Sequence, residues 1–173
     1  MSKTIIVGVS TCLMGENVRY DGGHKHEPYI TGVLGELFTL LPVCPEVECG
    51  MGIPREPMRL EGEPENPRLV TIEGRVDKSG QMLSYCHTKM AELASRALCG
   101  FICKARSPSC GLAVDVYHGG VPAGKGKGLF AAALLGHFPF MPVVEEGGLD
   151  GPEARERFME EVYGYYRKLN ETL

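Results

Sequence analysis

Short β-rich apolar runs alternating with stretches of helical periodicity constrain this chain more than any other feature. Residues 4–10 (TIIVGVS) read as a buried strand, residues 40–44 (LLPVC) as a second strand and residues 101–104 as a third. Pro42 suggests that the second strand starts at that point. Residues 28–40 read as a helix weakened by Gly32 and Gly35. Residues 79–99 form the longest internal helix, with Met82, Cys86, Met90, Leu93, Ala97 and Leu98 at helical spacing and Gly100 as its stop. Residues 112–117 are a fourth strand, 127–135 a helix and 140–144 a last strand. A closing helix over 149–169 starts at Gly151-Pro152 and carries Phe158, Val162, Tyr165 and Leu169 as its apolar stripe. Residues 45–68, rich in Pro, Gly and Glu, are expected to be irregular, and 69–76 to form an edge hairpin.

Such alternation predicts one α/β domain, a mainly parallel sheet with helices on both faces in a Rossmann-like three-layer arrangement. The length of 173 residues suits a single domain. Residues 1–148 are expected to make the α/β domain and 149–173 a C-terminal helix. In open sheets of this kind ligands sit beyond the carboxyl ends of the strands. Cys12 follows the first strand, Cys44 ends the second, and Cys110 lies in the loop after the third. Three thiols distant in sequence are therefore expected at one edge of the sheet.

Seven cysteines cannot all pair within one chain. The N-terminal apolar run is too short for a secretory signal, and no stretch approaches the roughly 20 apolar residues of a membrane span. A cytoplasmic setting follows, where spaced cysteines more often serve metals or catalysis than disulfides. A net charge of −4 and scattered basic residues argue against nucleic acid as a partner. Thiolates are soft ligands that select zinc, copper(I) or iron–sulfur centres. A structural zinc site wants four closed ligands, often in C-x-x-C knuckles, and this chain has no C-x-x-C. Three isolated cysteines leave one metal position open. Cys86, Cys99 and Cys103 fall within the apolar pattern and read as small core hydrophobes. Cys49, five residues after Cys44, is a spare ligand.

The sequence holds two further patterns. Residues 119–126 (GGVPAGKG) match the first seven positions of a phosphate loop, but Gly126 replaces the hydroxyl residue that binds magnesium. A glycine-rich helix start lining the substrate pocket is the better reading. His24 and His26 could be metal ligands, but an exposed turn is the reading preferred.

Three segments carry a family resemblance: GVSTCLMGENVRYDGG at 8–23, VCPEVECGMGIPR at 43–55 and KARSPSCG at 104–111. Their order and spacing closely resemble the domain-of-unknown-function family that contains the bacterial thiouracil desulfidase, over residues 4 to about 144. The resemblance implies a four-iron four-sulfur cluster held by Cys12, Cys44 and Cys110, with one iron not bound by cysteine. That iron would act as a Lewis acid toward the sulfur of a small thio-substrate such as 2-thiouracil. Glu46 would handle a proton of the ring or of the attacking water, and Ser107 would hydrogen-bond the substrate or relay a proton. Water would replace sulfur, sulfide would leave, and no net electron transfer would be needed. Arg19, Asp21, Glu48 and Ser109 are further pocket candidates. Relatives commonly carry glycine where this chain has Glu48 and Cys49, and Glu48 is a second carboxylate able to compete with Glu46. The segment 149–168 resembles the junction by which longer relatives enter a second domain. The competing reading is a non-catalytic metal or iron–sulfur module that Cys49 closes as fourth ligand; another is a transferase or lyase acting on a different thio-substrate.

Overall fold

The computed structural model describes residues 4–172. The chain opens with β1 (Ile6–Ser10) and a 3-10 turn (Thr11–Met14). A π-helical turn (Ile30–Leu34) then runs into the short α1 (Gly35–Leu37). Next come β2 (Thr39–Val43), the one-turn α2 (Pro45–Glu48), β3 (Met58–Glu63), β4 (Asn66–Thr71) and α3 (Ser79–Ser95). The remainder is β5 (Leu98–Cys103), β6 (Val114–His118), β7 (Val121–Gly126), α4 (Leu129–His137), β8 (Val143–Glu145), a 3-10 turn (Glu146–Leu149) and α5 (Pro152–Glu171).

These elements make a mixed α/β domain around a four-stranded parallel sheet of order β2-β1-β5-β8. Every residue of β5 is buried, as a central strand covered on both faces requires. Phe101 and Cys103 pack with Met82, Cys86, Met90 and Leu93 of α3 and with Phe130 and Leu134 of α4. Ile102 joins Val7 and Val9 of β1 with Phe158 and Val162 of α5 on the opposite face. Helices therefore cover both faces of the sheet. Among the described residues no helix is long and apolar enough to cross a membrane.

A second sheet, of order β4-β3-β6-β7, departs from the sequence expectation. The segment expected to be irregular contains α2, β3 and the start of β4, and β3 pairs antiparallel with β4 in a hairpin over 58–71, largely upstream of the hairpin expected at 69–76. The strand expected at 112–117 is β6, which pairs with β3 and β7 and stays outside the parallel sheet. Leu60, Leu69, Val114 and Val116 are buried against α3 and α4, but prolines and glycines around them break the alternation by which such strands are read.

Local corrections have equally physical causes. α3 stops at Ser95, where Ala97 at φ 52° reverses the chain, so Cys99 and Gly100 belong to β5. Gly100 is a contact residue: a Cβ there would lie 2.9 Å from Val162 Cγ2 of α5. The expected helix at 28–40 shrinks to the π turn and α1, and the last strand is 143–145. Residues 121–126 form β7, an extended and largely exposed strand, which excludes both a phosphate loop and a helix start. His24 and His26 stay in an exposed loop, where His26 Nε2 lies 2.7 Å from Thr31 Oγ1.

Candidate active site

Three loops leave the carboxyl ends of β1, β2 and β5 and meet around one cavity of about 450 Å³. That size lies within the range of small-molecule sites. Cys12, Cys44 and Cys110 all line it, one from each loop. Cys12 sits in the 3-10 turn after β1, Cys44 is the N-cap residue just before α2, and Cys110 follows the turn 104–109. All seven cysteines are free thiols. Among the described residues no three Cys, His, Asp or Glu side chains close on a point where a single ion could sit. The three thiols are a soft donor set on the wall of this cavity.

Burial dominates the electrostatics of these thiols. It pushes Cys12 up to about 11, against the pull of Lys104. Cys44 is also raised by burial, with the backbone N–H of Val47 acting in the opposite sense. Cys110 is held well above its ordinary value by burial and by neighbouring Cys103, and the Ser10 hydroxyl works against them. The lining otherwise carries Arg19, Lys25, Arg55, Lys104 and Arg106 with a single carboxylate, Glu46. Lys104 and Arg19 at Cys12, and Arg55 at Cys44, favour the thiolate and act against that burial.

Both oxygens of Glu46 are engaged. Arg55 Nε donates to Oε1 at 2.9 Å, and Ser109 Oγ donates to Oε2 at 3.1 Å. The same guanidinium donates to the carbonyls of Gly52 and Val18, tying the first two loops together. Ser107 also lines the cavity, and its Oγ accepts the backbone N–H groups of Ser109 and Cys110. A hydroxyl that accepts twice still has its own proton to donate.

Glu146 Oε2 accepts the Ala105 N–H and Glu145 Oε2 accepts the Leu112 N–H, so β8 and the residue after it clamp the Cys110 loop at both ends. Lys104 Nζ is paired with Glu146 at 2.8 Å, and its backbone N–H donates to Ser10 Oγ.

Among the residues singled out from sequence, Cys12, Arg19, Cys44, Glu46, Ser107 and Cys110 share this cavity. Ser109 is fully buried behind it, joined to Glu46. Asp21 does not line the cavity; it is exposed, with Arg19 Nη1 at 3.6 Å. Glu48 does not line it either and turns toward Lys89 and the Cys44 N–H. Cys49 is likewise outside the lining, with its S–H on the Glu46 carbonyl. Sequence reading missed Arg55, Glu145 and Glu146 as site-building residues. Arg55 meets Glu46 across 9 residues, Glu145 meets Leu112 across 33 and Glu146 meets Ala105 across 41, beyond any local pattern.

Comparison with known proteins bears on this geometry. A family model described as 2-thiouracil desulfurase matches residues 7–146. Among solved structures, a 4Fe-4S-dependent thiouracil desulfidase, TudS, is similar to this chain with a TM-score of 0.67 and 29% identity. The match covers 86% of this chain and 93% of that one. No curated protein matches the chain.

Proposed function

The chain belongs to the 2-thiouracil desulfurase family, and from that membership we propose that it removes sulfur from a thiocarbonyl substrate such as 2-thiouracil. Cys12, Cys44 and Cys110 would hold a four-iron four-sulfur cluster with one iron free of cysteine. The observation that carries this reading is the convergence of those three thiols, Glu46 and Ser107 on one cavity. When bound, the cluster supplies a Lewis-acidic iron suited to a soft sulfur.

The chain's own residues would do the rest. Ser107, with both N–H bonds accepted, donates its proton to a substrate heteroatom. Glu46, oriented by Arg55 and Ser109, takes a proton from the water that adds to the thiocarbonyl carbon and returns one as sulfur departs. One water is consumed, one C=S bond becomes C=O, and one sulfide leaves, so the electrons balance without a redox partner. Lys104 and Arg19 near Cys12, and Arg55 near Cys44, would offset the negative charge of those two thiolates. Free thiols suit a reducing compartment, and we place the protein in the cytoplasm.

The test is anaerobic reconstitution with iron and sulfide, then turnover of 2-thiouracil in heavy-oxygen water. Uracil bearing the heavy oxygen and one sulfide per uracil are expected. A cluster-loaded protein that leaves 2-thiouracil untouched, or that incorporates no heavy oxygen, sinks the reading.

A further inference from the structure

The Cys44 turn rests on one stripe of α3. Gln81, Tyr85 and Lys89 are spaced four residues apart, which places them above one another on a single helical face. Gln81 Nε2 donates to the Cys49 carbonyl at 2.8 Å. The Tyr85 hydroxyl is buried on the same face, with no hydrogen-bond partner among the described residues. Lys89 Nζ lies 2.8 Å from Glu48 Oε1 and 3.1 Å from Glu92 Oε1. Lys89 is only 7% exposed, a burial that lysine tolerates when its ammonium is paired.

Glu48 uses its second oxygen on the backbone: Oε2 accepts the Cys44 N–H at 2.7 Å. One carboxylate therefore joins a buried ammonium on α3 to the N-cap residue of α2. That N–H lies outside the helical ladder and needs such a partner. A helix of four residues has no stability of its own, so tertiary ties decide how its N-cap residue is held.

We propose that Glu48, anchored by Lys89, is a positioning residue for Cys44. It holds the backbone from which the thiol enters the cavity, and so governs how firmly the metal group is retained. This rests on the reading of Cys44 as a cluster ligand.

The experiment uses the full chain, cluster-free and after anaerobic reconstitution. In cluster-free protein, hydrogen exchange is followed by mass spectrometry at the Cys44 amide. In reconstituted protein, loss of the brown absorbance is timed after adding an iron chelator. Glu48→Ala and Lys89→Met should each speed both processes by about 10-fold or more, the scale of a lost hydrogen bond to a charged group. Lys89→Arg should restore near wild-type rates by keeping the ion pair, and Glu92→Gln should change neither. Glu48→Gln, which keeps size and one acceptor, gives an intermediate effect and serves if the alanine variant does not fold. Unchanged exchange and chelator rates in Glu48→Gln and Lys89→Met overturn the positioning role. Cys44→Ser is the reference: if it binds and retains the cluster as wild type does, the ligand reading fails and this inference with it. If it loses the cluster while the Glu48 and Lys89 variants behave as wild type, the positioning role alone fails.

Discussion

Ser109 donates its hydroxyl proton to Glu46 Oε2 at 3.1 Å across 63 residues of chain. The bond ties the turn after β2 to the loop that carries Cys110. With Arg55 on the other oxygen, it leaves the Glu46 carboxylate one orientation toward the cavity. A group so held is preorganised, which matters because acid–base catalysis depends on geometry before it depends on acidity.

Glu46→Gln keeps size and removes the ionisable group, so kcat on a thiopyrimidine should fall about 10²–10⁴-fold with iron and sulfide content unchanged. Ser109→Ala leaves the carboxylate in place with one hydrogen bond fewer, and about a 10-fold fall is expected. Steady-state kinetics on reconstituted protein reads both. Full activity in Glu46→Gln removes this residue from the proton transfers.

Serine at Cys12, Cys44 or Cys110 should abolish the brown chromophore, because a hard oxygen substitutes poorly for thiolate at a soft site. Serine at Cys86, Cys99 or Cys103, all buried in core clusters, should leave it intact. Iron and sulfide assays on the six variants settle the division, and equal loading in all six contradicts it.

Glu61 in β3 is lowered from its ordinary 4.5 to about 2, first by its hydrogen bond to Arg75, with burial opposing and Arg59 assisting. A depressed carboxylate favours the folded state once ionised. Its contribution is therefore complete above about 4.5 and disappears as pH falls toward about 2. Urea midpoints of cluster-free wild type and Glu61→Gln should differ at neutral pH and converge through that window. A gap that stays constant to the acid end contradicts the assignment.

Gly100→Ala should destabilise the fold by about 1–3 kcal/mol, the usual cost of overfilling a packed core. Its new Cβ would stand 2.9 Å from Val162, which is itself fully buried. Urea denaturation measures the effect; an unchanged midpoint would show that α5 can shift away from β5.

Some of this protein is written in local pattern. The runs at 4–10, 40–44 and 101–104 read as strands because each is largely apolar over its own length. Gly151-Pro152 marks the start of α5 because proline suits the first helical position. With strands known, Cys12, Cys44 and Cys110 fall at their carboxyl ends, and the three motifs identify the family. What periodicity reports, however, is a segment's own burial and not its partner. So β6 read as a strand without revealing that it joins β3 in a second sheet, and Gly100 read as a helix stop when it is a contact with Val162. The same limit hid the ties of Glu46 to Arg55 and Ser109, of Glu48 to Lys89, and of the Cys110 loop to Glu145 and Glu146. Each is a directional bond between polar atoms far apart in the chain. Only packing of the helices and loops around the sheet brings those atoms within reach.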